Sequence, residues 1–226
     1  MGRYFPDTAN DYLYMNNAPL STEPLTVCAW FKAAHVNNIQ PIAFLVNGSV
    51  ASTYFGIHIR GHELNDPFAA IERANFSQSI WSSKPSSISV GTWQHGAGVF
   101  QPTDWRLCYV DGSAGTLSTG AITTPTGLNQ IRIGSEYEPF NERFQGGIAE
   151  VAFWNIALSG SAIADMATGK SALYYPNNLV FYARLLEDED YDEIGDNYLS
   201  INGNPTTTDH PLIDYGDKYG PKIQVI

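Results

Sequence analysis

Apolar residues recur at every second position through much of this chain, the spacing of strands rather than of helices. Residues 25–32 (LTVCAWFK) form an almost unbroken apolar run and predict a central strand buried on both faces. Residues 40–46 predict a second strand, closed by the turn Asn47-Gly48. Residues 53–60 alternate more cleanly, and residues 68–73 follow a turn at Asn65-Asp66-Pro67. The stretch 77–89, rich in Ser and Pro, predicts a loop. Residues 93–100 and 105–110 predict two more strands, the second ending on Asp111-Gly112, a hairpin signal. Residues 129–134, 147–155 and 179–186 complete the strand set. Helical spacing occurs only in residues 159–168, with Ser159 as N-cap, Gly169 as C-cap and Ala162, Ile163 and Met166 as the apolar stripe.

Many short strands separated by turn residues predict an all-β fold. No internal repeat or interdomain linker interrupts the 226 residues, and 43% of them are hydrophobic, enough for one sizeable core. The domain is expected to span residues 1–203. Residues 204–226 then form a C-terminal extension, packed on the sandwich or on a neighbouring subunit. The chain ends Ile223-Gln224-Val225-Ile226, too apolar to lie in water. Ile223, Val225 and Ile226 are therefore candidate interface residues that would add to a partner's sheet edge.

The net charge of −11 disfavours nucleic acid and anionic membranes as partners. Most of it is local, because residues 187–196 hold seven acids and no base. Cys28 and Cys108 lie in apolar strand-like runs, which predicts buried free thiols and leaves pairing open. Residues 1–6 (MGRYFP) contain no apolar signal core, and no apolar run is long enough to cross a membrane. Synthesis in a cytoplasm without a signal peptide is the expectation.

Three stretches carry a resemblance. Asp11-Tyr12-Leu13-Tyr14-Met15 precedes a strand ending in Trp30-Phe31. Trp93-Gln94-His95 precedes Leu107-Cys108-Tyr109-Val110-Asp111-Gly112. Residues 144–159 (FQGGIAEVAFWNIALS) run from a strand into the helix cap. Together they resemble the laminin G-like, concanavalin A-like lectin/glucanase family. The resemblance implies an antiparallel two-sheet jelly-roll β-sandwich with one short helix. Such folds serve as lectins, adhesion modules, hydrolases and viral structural proteins, so the fold leaves function open. The expectation is a non-catalytic structural or display module. It would act through protein–protein contacts in a homo-oligomer or with other virion proteins, as capsid decoration or tail-fibre proteins do at a phage virion surface. The alternative is a glycan-binding lectin, and the third reading is a glycoside hydrolase.

Glycoside hydrolysis needs two carboxylates facing one another. Residues 187–193 carry acids without apolar alternation, and Glu150 stands alone in its strand. Inside such a strand, a carboxylate needs a partner or a metal. No cofactor is required by any motif. A structural Ca²⁺ is implied by the resemblance, with Asp11, Glu150, Asp190 and Asp192 as candidate ligands. The run Asp188, Asp190, Asp192 is not an EF-hand, since Glu193 stands where that loop needs Gly and Leu199 where it needs an acid. His58 and His62 straddle a strand end, so their spacing does not place them on one helix face. For a glycan, the candidate contacts are Phe76 and Trp81 in one predicted loop and Tyr137, Phe140 and Asn141 in another, since sugars stack on exposed rings flanked by amides.

Overall fold

A computed structural model of the chain describes residues 1–6, 10–61, 63, 65, 67–102, 104–136, 142–186 and 190–216. Its strands are β1 (Gly2–Phe5), β2 (Tyr12–Asn16), β3 (Leu25–Ala33), β4 (Ile39–Val46), β5 (Tyr54–Arg60), β6 (Phe68–Asn75), β7 (Gln78–Lys84), β8 (Gln94–Gln101), β9 (Trp105–Val110) and β10 (Ser113–Ala114). There follow β11 (Gln130–Ile133), β12 (Gly146–Trp154), helix α1 (Gly160–Met166), β13 (Leu179–Ala183), β14 (Tyr191–Asp192), β15 (Asn197–Tyr198), β16 (Ser200–Asn202) and β17 (Thr206–Thr208). They form two large antiparallel sheets. The first runs β10-β9-β8-β3-β12-β1-β17, with β13 also paired to β12, and the second runs β16-β2-β11-β4-β5-β6-β7. This is the expected all-β jelly-roll sandwich.

Alternation decides which side chains meet between the sheets. Val27, Ala29 and Phe31 of β3 face Leu45, Phe55, Ile57 and Ala70 of the second sheet in one core. The other side of β3 is buried as well. Cys28 joins Ala97, Ala152, Trp154 and Tyr182 in a second cluster, closed by Ile163 and Met166 of α1. That helix starts where Ser159 accepts the Ala162 N–H, and its buried residues are Ala162, Ile163 and Met166. Gly169, at φ +99, lies two residues beyond the cap Ala167. Asp111 and Gly112 both have positive φ, as a tight right-twisted hairpin requires.

Cys28 and Cys108 are buried and free. Cys28 is opposite Ala97, and Ala97 is opposite Tyr109. Cys108 therefore points to the other face, into the core between the sheets. Across that core Arg106 of β9 reaches Glu72 of β6 at 2.7 Å, with the two side chains 1% and 2% exposed.

Two local expectations are corrected. Residues 78–84 form strand β7, not loop. Its serines satisfy themselves within the sheets: Ser82 accepts the Cys108 N–H and donates to the Thr116 carbonyl. Secondly, strict alternation fails in β12. The register to β3 shifts between Ala149 and Ala152, and Glu150 sits at φ +56. This bulge consumes one residue, so Ile148, Val151 and Phe153 enter the main core while Ala152 and Trp154 pack beneath α1. Beyond residue 203, Thr206–Thr208 adds strand β17 to β1 at a sheet edge, so this part of the extension packs on the sandwich. Ile223, Val225 and Ile226 lie outside the described residues. Among the described residues no helix is long and apolar enough to cross a membrane.

Candidate functional site

The outer face of the second sheet carries the side chains that alternate away from the core. Phe44, Val46, Tyr54 and Ile71 cluster there, with Trp81 packed against them. Gly56 makes this face possible. A Cβ at Gly56 would lie 2.3 Å from the Phe44 ring, so only glycine lets that ring lie across the neighbouring strand. Arg60 and Arg73 alternate onto the same face from β5 and β6.

Above them is a cleft of about 210 Å³, lined by Ile39, Tyr54, His58, Arg60, Ile71, Arg73, Glu136 and Glu142. Sheet residues form its floor, and the two glutamates come from the segment between β11 and β12. Arg73 donates to the Tyr54 hydroxyl at 3.3 Å. Arg60 donates to Glu63 at 2.7 Å, and its guanidinium lies 3.8 Å from the centre of the Trp81 ring. Glu136 and Glu142 are close enough for their charges to oppose each other. Burial raises the affinity of both for protons, and the neighbouring Glu136 adds to the effect on Glu142, which reaches about 8. At neutral pH the pair therefore keeps a proton, offering one donor and several acceptors beside two guanidinium groups.

The predicted glycan contacts are dispersed. Trp81 stands on a strand, half-buried, with one ring face taken by Arg60. Phe76 is 57% exposed at the turn between β6 and β7. Tyr137, Phe140 and Asn141 lie outside the described residues, although their neighbours Glu136 and Glu142 line the cleft. The residues that sequence reading missed, Tyr54, Arg60, Arg73 and Glu142, come from three separate segments. The signal shared by Tyr54, Arg60 and Arg73 was polar residues at alternate positions of strands whose other face is apolar.

Each of the four candidate calcium ligands accepts hydrogen bonds from protein groups. Asp190 is paired with Arg3, both 4% exposed. Asp192 accepts the backbone N–H groups of Tyr182, Ile194 and Gly195. Asp11 accepts the Asn204 N–H at 2.6 Å. Glu150 accepts the hydroxyls of Tyr182 and Tyr215, with His210 Nε2 at 3.3 Å. The partner its burial demands is thus a pair of tyrosines. Among the described residues no group of three or more His, Cys, Asp or Glu side chains could hold a metal.

Two antiparallel sheets stacked as a sandwich, with one short helix, define a class: the jelly-roll β-sandwich domains. More narrowly, the chain belongs to the concanavalin A-like lectin/glucanases superfamily, whose sequence profile matches residues 7–164. No curated protein matches the sequence. Solved structures share the fold. A heptameric SAP-like pentraxin from Limulus polyphemus superposes with a TM-score of 0.59 at 21% identity, over 73% of this chain and 80% of its own. The CBM40 domain of a Ruminococcus gnavus IT-sialidase, bound to α2,3-sialyllactose, gives 0.56 at 14% identity, over 65% and 83%. Domain 4 of an extracellular arabinanase from Geobacillus stearothermophilus, in complex with arabinotriose, gives 0.57 at 18% identity, over 73% and 75%.

Proposed function

We propose that the chain is a non-catalytic carbohydrate-binding module and that a sugar sits in the cleft of the second sheet. The observation that carries this reading is the lining. An apolar wall of Ile39 and Ile71 lies beside two arginines, a histidine, a tyrosine and a proton-sharing carboxyl pair. A sugar presents the same mixture, hydroxyls around an apolar ring face. The volume is below the roughly 300–1,000 Å³ of drug-sized sites, which suits a single sugar ring. Two of the compared structures hold oligosaccharides.

The cleft is poorly suited to hydrolysis. Retaining and inverting enzymes set two carboxyls about 5 Å or more apart around the scissile bond, whereas Glu136 and Glu142 come from one short segment and their charges oppose each other. Glu150 is 4% exposed and engaged by tyrosines. Glycan binding is preferred to display on a virion because it has residues to act through.

The test is a printed glycan panel that includes 3′-sialyllactose and arabinotriose, read with the wild type and with Arg73→Ala and Glu142→Gln. Selective binding that falls about tenfold or more in Arg73→Ala, with the melting temperature kept, is expected. An unchanged binding profile would refute the cleft. Reducing sugar released in proportion to wild-type protein and lost in Glu142→Gln would refute the non-catalytic reading.

A further inference from the structure

A second aromatic surface lies toward the opposite edge of the same sheet. β14 and β15 form a hairpin immediately before the edge strand β16. Tyr191 and Tyr198 are cross-strand partners in it, with ring centroids 4.9 Å apart. Tyr198 is 79% exposed, the highest value among the large hydrophobic side chains of the described residues. Single exposed rings are ordinary, but this pair stands on an unusually well-braced support.

The Asp192 side chain is fully buried and accepts three backbone N–H groups at 3.0, 3.1 and 3.0 Å, from Tyr182, Ile194 and Gly195. Gly195 packs so closely that a Cβ there would lie 2.4 Å from Asp192 Oδ2. At the other end the Leu199 N–H bonds to the Asp190 carbonyl at 2.8 Å, and the Asp190 carboxylate is held by Arg3. The hairpin is therefore tied to the first sheet through β13 and β1, with the Tyr198 ring facing water and Tyr191 half-buried beside it. A rigid ring pair loses little conformational entropy on binding, which makes it an efficient stacking platform. Asp196, Asn197 and Ser200, all exposed, supply hydrogen-bonding groups around it.

We propose that Tyr191 and Tyr198 form a second sugar-binding site, and that it selects an uncharged glycan. The selection follows from charge. Asp196 is exposed on the hairpin, while the neighbouring cations Arg3 and Arg184 are engaged by Asp190 and Glu193, a local field that disfavours carboxylated or sulfated sugars. The site is separate from the cleft, since β16 and β5 are four strand spacings apart in the sheet order, roughly 19 Å. The proposal shares with the cleft only the class of ligand.

The experiment compares Tyr198→Ala, Tyr191→Ala and Tyr198→Phe with Arg73→Ala in the cleft. The probes are uncharged oligosaccharides (arabinotriose, lactose) and 3′-sialyllactose, measured by calorimetric titration. Tyr198→Ala is expected to lose about tenfold in affinity for an uncharged probe. Tyr198→Phe should retain it, because the stacking ring remains, and Tyr198→Ala should cost the same factor in the Arg73→Ala background. Wild-type affinity in both hairpin alanine variants would overturn the hairpin site and leave the cleft standing. Hairpin-dependent binding of 3′-sialyllactose would overturn the selection. A wild type that binds none of the probes would overturn both sites.

Discussion

Replacing Tyr215 with phenylalanine tests how the C-terminal segment is held. Glu150 is 4% exposed, at the β12 bulge, with a backbone φ of +56. Its Oε1 accepts the Tyr215 hydroxyl at 2.7 Å and lies 3.3 Å from His210 Nε2, while Oε2 accepts the Tyr182 hydroxyl. Tyr215→Phe removes one donor from a buried carboxylate and leaves the ring in place. A hydrogen bond to a charged group contributes about 1.5–3 kcal/mol. In a chain of this length 1 kcal/mol moves the melting temperature by about 2–4 °C, so a fall of about 3–12 °C is expected. The assay is thermal and urea unfolding of the wild type, Tyr215→Phe, Glu150→Gln and the double variant, closed as a cycle. The two changes should couple, because loss of the Tyr215 hydroxyl costs less once the carboxylate has become an amide. A melting temperature within about 1 °C of wild type, with no coupling, would refute the reasoning. The same geometry separates two truncations. Cutting after residue 216 spares Tyr215, His210 and β17. Cutting after residue 203 removes all three and should cost several kcal/mol, as an uncompensated buried charge does.

Three further outcomes follow from other sites. Arg106→Met alone strands Glu72 between the sheets and should cost about 3–5 kcal/mol, whereas Arg106→Met with Glu72→Leu should recover most of it; urea midpoints decide. Burial, then Glu136, raises the Glu142 carboxyl from 4.5 to about 8. The folded chain thus holds a proton there that the unfolded chain has released, and stability falls as pH rises through that window. Melts from about pH 5 to 9 should show this decline for the wild type and a shallower one for Glu142→Gln. His95 runs the other way. Burial lowers it from 6.5 to about 4, so the unfolded chain takes up the proton first and stability falls as pH drops through that window. At about 1.4 kcal/mol per pH unit the full window is worth about 3 kcal/mol, and His95→Gln should flatten the acid limb of the same melts. A wild-type limb no steeper than that of the variant would count against a buried neutral imidazole.

The candidate site was hardly legible along the chain. Trp81 was recognised as a ring but assigned to a loop, since Ser79, Ser82 and Ser83 hide the alternation of β7. The hydrogen bonds that make a serine acceptable in that strand come from Cys108 and Thr116, residues distant in sequence. Arg60, Arg73 and Glu142 are ordinary surface residues in a one-dimensional reading. Only β5–β6 pairing and the crossing from β11 to β12 bring them to one cleft.

What the amino-acid order determined alone was local and periodic: β3 buried on both faces, the Asp111-Gly112 hairpin, the helix opened by Ser159, and the family signature of residues 144–159. Each depends on interactions within a few residues or on a two-residue period, and those are written along the chain. Tertiary structure decided the rest. The bulge at Glu150 reverses the parity of β12 because a buried carboxylate must meet tyrosine donors from residues 182 and 215. Strand β17 exists because β1 offers it an edge. Register, crossover and buried-charge pairing are set by partners far away along the backbone, and no short-range pattern encodes them.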